Sequence, residues 1–125
     1  MARYVVTVRA GFEAAHALHR YRGLPEAVHG HSWRVEAQLA TTTLDEDGLA
    51  YDFCEVQKAL LAVLGPLDHR CLNEIPPFDQ VSPTAEAVAQ WVYEELRNRL
   101  PGAPLVSVTV FEGPENSVTY FPSEV

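Results

Sequence analysis

The sequence predicts an α+β fold, an antiparallel sheet with two helices on one face, in the order β-β-α-α-β-β. Three patterns predict it: apolar residues alternate near both ends of the chain, two capped segments of helical period lie between them, and a Gly/Pro/Asn turn divides the final alternating run. From Arg3 to Phe12 the alternation puts Tyr4, Val6, Val8, Ala10 and Phe12 on one face of a first strand. From His31 to Thr43 it gathers Trp33, Val35, Ala37 and Leu39 on one face of a second. At Asp52 the period changes. Asp52 can cap a helix with Glu55 three residues on, and Val56, Leu60, Val63, Leu64 and Leu67 follow at helical spacing. A second helix is expected from "SPTAE", with Ser82 as cap, Pro83 at the first helical position and Glu86 near the positive end of the dipole. Its stripe is Ala85, Val88, Val92 and Leu96, and it ends near "LPG". "LVSVTVFEG" and "NSVTYFP" then read as a hairpin turning at "GPEN".

Composition bounds the function. A chain of 125 residues, 47% hydrophobic and 21% charged, fits one compact domain over residues 1–125. Its formal charge is −8 and its nine basic residues are scattered singly, which disfavours nucleic acid or an anionic membrane as partner. Arg9 interrupts the N-terminal apolar run, so neither a signal-peptide core nor a membrane span is expected there, and a soluble, cytoplasmic protein is the default. Cys54 and Cys71 are too few for a disulfide framework and are expected to be free thiols.

The chemistry concentrates in "LPEAVHGHSWRVEAQL". Side chains two apart on a strand share a face, so His29 and His31 emerge together, and Gly30 between them permits close approach. A pair of same-side imidazoles suggests a metal. His16, just past the first strand, is a candidate third ligand, with His19 as its competitor. Three histidines without a fourth protein ligand would leave an open position, the arrangement of a catalytic zinc site.

"FEAAH", "HGHSW", "LDHRCLN", "SPTAEAVAQWVYEEL" and "VTVFEGPENSVTY", in this order, resemble the 6-pyruvoyltetrahydropterin synthase family, which includes the bacterial 6-carboxytetrahydropterin synthases. The resemblance spans Phe12 to Tyr120. It implies the tunnelling fold, whose subunits assemble into a barrel, typically a hexamer of two trimers. It implies that His16, His29 and His31 hold Zn2+, that Glu112 anchors the 2-amino and ring N–H edge of a pterin, and that Thr84 lies near that ring. Thr84 could equally serve the helix start. In the resemblance Asp68 and His69 form a proton relay, the aspartate orienting the imidazole as general acid/base. Cys54 and Cys71 read as structural thiols.

The chain also departs from its relatives. The synthases carry a catalytic cysteine four residues before "HGH", where this chain has Pro25, which can neither take nor give a proton. Its neighbour Glu26 can, and "ExxHGH" resembles a minority branch in which glutamate replaces cysteine. That branch cleaves dihydroneopterin to 6-hydroxymethyl-7,8-dihydropterin by a retro-aldol reaction of the folate pathway. The alternatives are a 6-carboxytetrahydropterin synthase of queuosine-type deazapurine synthesis, and a zinc- and pterin-binding oligomer without turnover.

Overall fold

A computed structural model describes residues 2–123. Its elements are β1 (Tyr4–His16), β2 (His29–Thr41), α1 (Phe53–Leu64), β3 (Arg70–Cys71), α2 (Ala85–Arg99), β4 (Leu105–Phe111) and β5 (Ser117–Tyr120), with single 3-10 turns on either side of β3. The strands form one open sheet in the order β3-β1-β2-β4-β5. β1, β2, β4 and β5 pair antiparallel, whereas β3 pairs parallel to β1, so the sheet is mixed rather than purely antiparallel. Two residues are too few to carry a periodicity, which is why no fifth strand is expected from sequence.

The predicted strand faces are buried over most of their length, but Tyr4, expected on the core face of β1, lies at the strand end and is exposed, and Ala10 is only half-buried. Val6, Val8, Phe12, Trp33, Val35, Ala37, Leu39, Val108 and Val110 are buried, and the residues alternating with them on β1 are exposed. Both helices cover this face. α1 buries Val56, Ala59, Leu60, Val63 and Leu64, and α2 buries Ala85, Val88, Ala89, Val92, Tyr93 and Leu96, each a stripe at helical spacing. Burying one such Val or Leu side chain contributes roughly 1.5–3 kcal/mol. Gly11 permits the close β1–β2 approach, since a Cβ there would stand 3.0 Å from the Trp33 carbonyl oxygen.

Three boundaries differ from expectation. β1 continues past Phe12 to His16, and β2 begins at His29, so the histidines lie in the sheet rather than beside it. α1 is capped by Asp52 as expected, through the Cys54 amide at 2.8 Å, but ends at Leu64, and a 3-10 turn buries Leu67. α2 is capped by Thr84, not Ser82: the Thr84 hydroxyl accepts from the Ala87 amide at 3.0 Å. Ser82 instead accepts from the His19 amide, and the Pro83 carbonyl is engaged by His16, so the chain stays extended until Thr84.

Candidate metal centre

His16 and His29 are direct partners in the β1–β2 register, and His31 pairs with Ala14 one step along the same face. Period two therefore carries the core-facing columns Phe12–Ala14–His16 and Trp33–His31–His29 out of the apolar layer and ends each in imidazole. Trp33 forms the floor, its ring centroid 4.9 Å from that of His16 and 5.8 Å from that of His31, with its indole N–H donated to the Ala14 carbonyl. The three imidazoles sit 4.7–5.2 Å apart between centroids, mutually edge-on with interplanar angles of 68–85°. Rings so splayed converge on a point instead of stacking.

Glu112 joins them. β4 alternates Val108 and Val110 inward, and the next inward position, one residue past the strand, is Glu112, whose amide closes the turn on the Asn116 carbonyl. Its Oε1 lies 3.2 Å from His16 Nε2 and 3.0 Å from His31 Nε2. One donor atom from each of His16, His29, His31 and Glu112 lies within 4.8 Å of all the others.

The donor chemistry fits a metal cation. His16, fully buried, donates its Nδ1–H to the Pro83 carbonyl at 2.8 Å, which leaves a lone pair on Nε2. His29 likewise sets its Nδ1 against the Ala27 carbonyl at 2.9 Å. The buried Nε2 atoms of His16 and His31 have no hydrogen-bond partner, and despite their short distances to Glu112 neither contact has hydrogen-bond alignment. Bare nitrogen lone pairs facing a carboxylate oxygen repel each other unless a cation stands among them.

His19 does not join the cluster: its Nε2 lies 3.3 Å from the Phe78 carbonyl. Glu26 lies beside the cluster but outside it. Its Oε1 accepts from the Leu18 amide at 3.0 Å and stands 3.8 Å from His29 Nδ1. Asp68 and His69 flank β1 from the other edge. Asp68 Oδ1 accepts the Glu13 amide at 2.8 Å, its Oδ2 lies 3.1 Å from His69 Nδ1, and the His69 amide donates to the Glu13 carbonyl. The Glu13 N–H, and after it the His69 side chain, hold the Asp68 carboxyl below its ordinary pKa against the opposing effect of desolvation. His69 adopts φ = 60°, a left-handed conformation that is strained for a non-glycine residue. It lines one surface cleft with His31, Gly30, Ser32 and Glu13. Thr84 is engaged as a helix cap.

Sequence reading missed two supports. Asn73 clamps the peptide after His16, accepting the Ala17 N–H and donating to the Ala17 carbonyl, each at 2.8 Å. Ser82 and Pro83 hold His19 and His16. The available signal was their place inside "LDHRCLN" and "SPTAE", segments already carrying candidate residues.

The sequence profile of the family described as 6-pyruvoyl tetrahydropterin synthase matches residues 5–123. The chain belongs to that family. Two of its curated relatives are a dihydroneopterin monophosphate aldolase of Pyrococcus furiosus, 34% identical over 90% of this chain and 93% of the relative, and a 6-carboxy-5,6,7,8-tetrahydropterin synthase of Synechocystis sp., 37% identical over 94% and 93%. The 6-pyruvoyl tetrahydropterin synthase of Caenorhabditis elegans superposes with a TM-score of 0.86 at 28% identity, covering 98% of both chains. The Plasmodium vivax enzyme shares the fold, with a TM-score of 0.82 at 19% identity over 99% of this chain and 100% of that one. Pterin-processing lyases and aldolases are thus this chain's relatives. No helix among the described residues is long and apolar enough to cross a membrane.

Proposed function

We propose that this chain is a zinc-dependent pterin aldolase of the 6-pyruvoyl tetrahydropterin synthase family, cleaving the side chain of 7,8-dihydroneopterin or a phosphorylated form of it to 6-hydroxymethyl-7,8-dihydropterin. The observation that carries the reading is the placement of Glu26: with Pro25 at the cysteine position, its carboxylate is the proton-accepting group beside the metal ligand His29. The 34% identical relative named as a dihydroneopterin monophosphate aldolase supports it.

His16, His29 and His31 would hold the zinc, which when bound polarises side-chain hydroxyls of the substrate and lowers their pKa. Glu26 then takes the 2′-hydroxyl proton. The C1′–C2′ bond breaks, its electron pair passes into the pterin ring, and the C2′–C3′ fragment leaves as a two-carbon aldehyde. His69, oriented by Asp68, returns a proton to C1′, which balances the reaction. Glu112 is the pterin-edge acceptor in this reading. His69, with a side chain 77% exposed, becomes enclosed on assembly into the homo-oligomer that the family likeness suggests.

A second reading, 6-carboxytetrahydropterin synthase with Glu26 in the cysteine's role, is favoured by the 37% identical Synechocystis relative. Mass-resolved product analysis decides between them, using zinc-loaded protein with 7,8-dihydroneopterin, its monophosphate and its triphosphate in separate reactions. Appearance of 6-hydroxymethyl-7,8-dihydropterin, abolished by Glu26→Ala, is expected. A 6-carboxy or 6-pyruvoyl product indifferent to that substitution refutes the aldolase reading, and absence of product from every substrate leaves a binding protein.

A further inference from the structure

Three consecutive peptides follow His16, and each is gripped by a side chain from a distant segment; two of them lead to Glu26. The first gives its Ala17 N–H to Asn73 Oδ1 at 2.8 Å. The second, Ala17–Leu18, accepts from Asn73 Nδ2 at 2.8 Å on its carbonyl side and donates its N–H to Glu26 Oε1 at 3.0 Å. The third, Leu18–His19, accepts the Glu26 N–H at 3.1 Å and donates to Ser82 Oγ at 3.0 Å. We propose that Asn73, with Ser82 as a lesser partner, is a positioning residue for Glu26: through the peptides that flank Leu18 it fixes where the carboxylate stands beside His29. This role presupposes Glu26 as the proton acceptor proposed above.

Glu26 has little else to hold it. It lies on the loop between β1 and β2, and its hydrogen bonds among the described residues, from side chain and backbone alike, run to Leu18. Whatever orients the peptides of Leu18 therefore orients Glu26. The C=O and N–H of a trans peptide point in opposite directions, so Asn73 and Glu26 grip the Ala17–Leu18 unit from opposite sides. A donor on that carbonyl also polarises the N–H that Glu26 accepts, because hydrogen bonds in series strengthen one another. Oε1 is thus the held oxygen, and Oε2, free of hydrogen bonds among the described residues, is the one left to take a proton.

Asn73 reaches this place by strand register. Parallel pairing sets Cys71 beside Ala15, and two residues further along each chain Asn73 meets Ala17. Leu72, fully buried, anchors the turn that carries it. The amide has one orientation that satisfies both bonds, since a flipped side chain would set donor against donor and acceptor against acceptor.

A double-mutant cycle on the zinc-loaded full-length protein tests the role, with whichever of 7,8-dihydroneopterin and its monophosphate is turned over faster. Asn73→Asp keeps an oxygen for the Ala17 N–H but loses the donor that faces the Ala17 carbonyl. Its kcat is expected to fall about tenfold or more, as for a misplaced reacting group, with KM and zinc content unchanged. On the Glu26→Gln background the same substitution should cost less than about twofold, because a group that takes no proton loses nothing by being misplaced. Ser82→Ala should lower kcat about two- to fivefold, as for one partly exposed hydrogen bond, and lose that effect beside Glu26→Gln. Crystal structures give a readout apart from turnover: Glu26 Oε1 near 3.0 Å from the Leu18 amide nitrogen in the wild type, and beyond about 3.5 Å in Asn73→Asp. Losses that multiply undiminished on the Glu26→Gln background, a rise in KM at constant kcat, an unmoved Glu26, or loss of zinc from Asn73→Asp each overturn the positioning role and leave the Glu26 reading standing. Full activity of Glu26→Gln overturns that reading and the positioning role with it. Should Asn73→Asp not fold, Ser82→Ala decides alone, and an unchanged kcat there refutes the role.

Discussion

Asn73→Ala removes a clamp, not a ligand, and its consequence follows from the two bonds lost. Asn73 satisfies both the N–H and the C=O of Ala17 at 2.8 Å, and Ala17 is only partly exposed. A typical neutral hydrogen bond contributes about 1 kcal/mol, and stranding a buried partner costs about 1–3 kcal/mol. Water reaches Ala17 in part, so the lower end applies: about 2–3 kcal/mol for the pair. At about 4 °C per kcal/mol for a domain of this size, the melting temperature of the metal-free protein falls by about 8–12 °C. Because Ala17 follows His16 directly, loosening it also frees the ring that Pro83 orients, and zinc affinity drops by about tenfold, as for loss of an outer-sphere partner. Scanning calorimetry at fixed protein concentration and zinc competition titration measure the two effects. A shift under about 2 °C together with unchanged zinc affinity would show that the His16 loop is held by something other than Asn73.

Other substitutions separate the roles around it. His16→Ala removes the most buried candidate ligand, and metal analysis after dialysis should show zinc content falling from near one per chain to near none; retention would displace His16 from the site. Glu26→Gln keeps an oxygen for the Leu18 amide but cannot take a proton, so kcat/KM should fall by about 10²-fold or more with zinc content intact. Equal loss of zinc would make Glu26 a purely structural anchor. Asp68, whose folded pKa lies below its ordinary 3.8, stabilises the fold fully above that value and loses the contribution as pH falls through the lowered one. Urea melts should therefore show Asp68→Asn weaker than wild type by a constant margin above about pH 5, closing in more acidic solution; a margin that widens on acidification contradicts the assignment.

How legible the fold was depended on element length. β1, β2, both helices and the β4–β5 hairpin each carry enough residues for period to override local preference, and their core faces are as the alternation predicts, save at Tyr4 and Ala10. Arg70–Cys71 has no period to show, and its pairing beside Ala14 and Ala15 is a product of tertiary packing. The start of α2 was misplaced because Ser82 and Pro83 satisfy every local rule for a helix start. The Pro83 carbonyl is instead taken by a histidine 67 residues earlier, a partner that no local rule contains.

The site obeys the same division. That His29 and His31 share a face is a statement about one strand and could be read directly; that His16 stands opposite His29 is a statement about register between strands. Register here is set by the core, because shifting β2 by one residue would turn Trp33, Val35, Ala37 and Leu39 to solvent along with the histidines. The apolar columns that stabilise the sheet thus also align the imidazoles that end them. Glu112 follows the same logic from β4, since Val108 and Val110 must face inward and the next inward position falls among the imidazoles. Glu26 has no such constraint. It sits on a loop between strands, tied by its bonds to Leu18, and can be exchanged for another residue without disturbing the sheet. On the proposed reading, a scaffold that fixes the candidate ligands through core register, while leaving the candidate proton-transfer group on a loop, can exchange one bond-breaking chemistry for another by substitution in the loop alone.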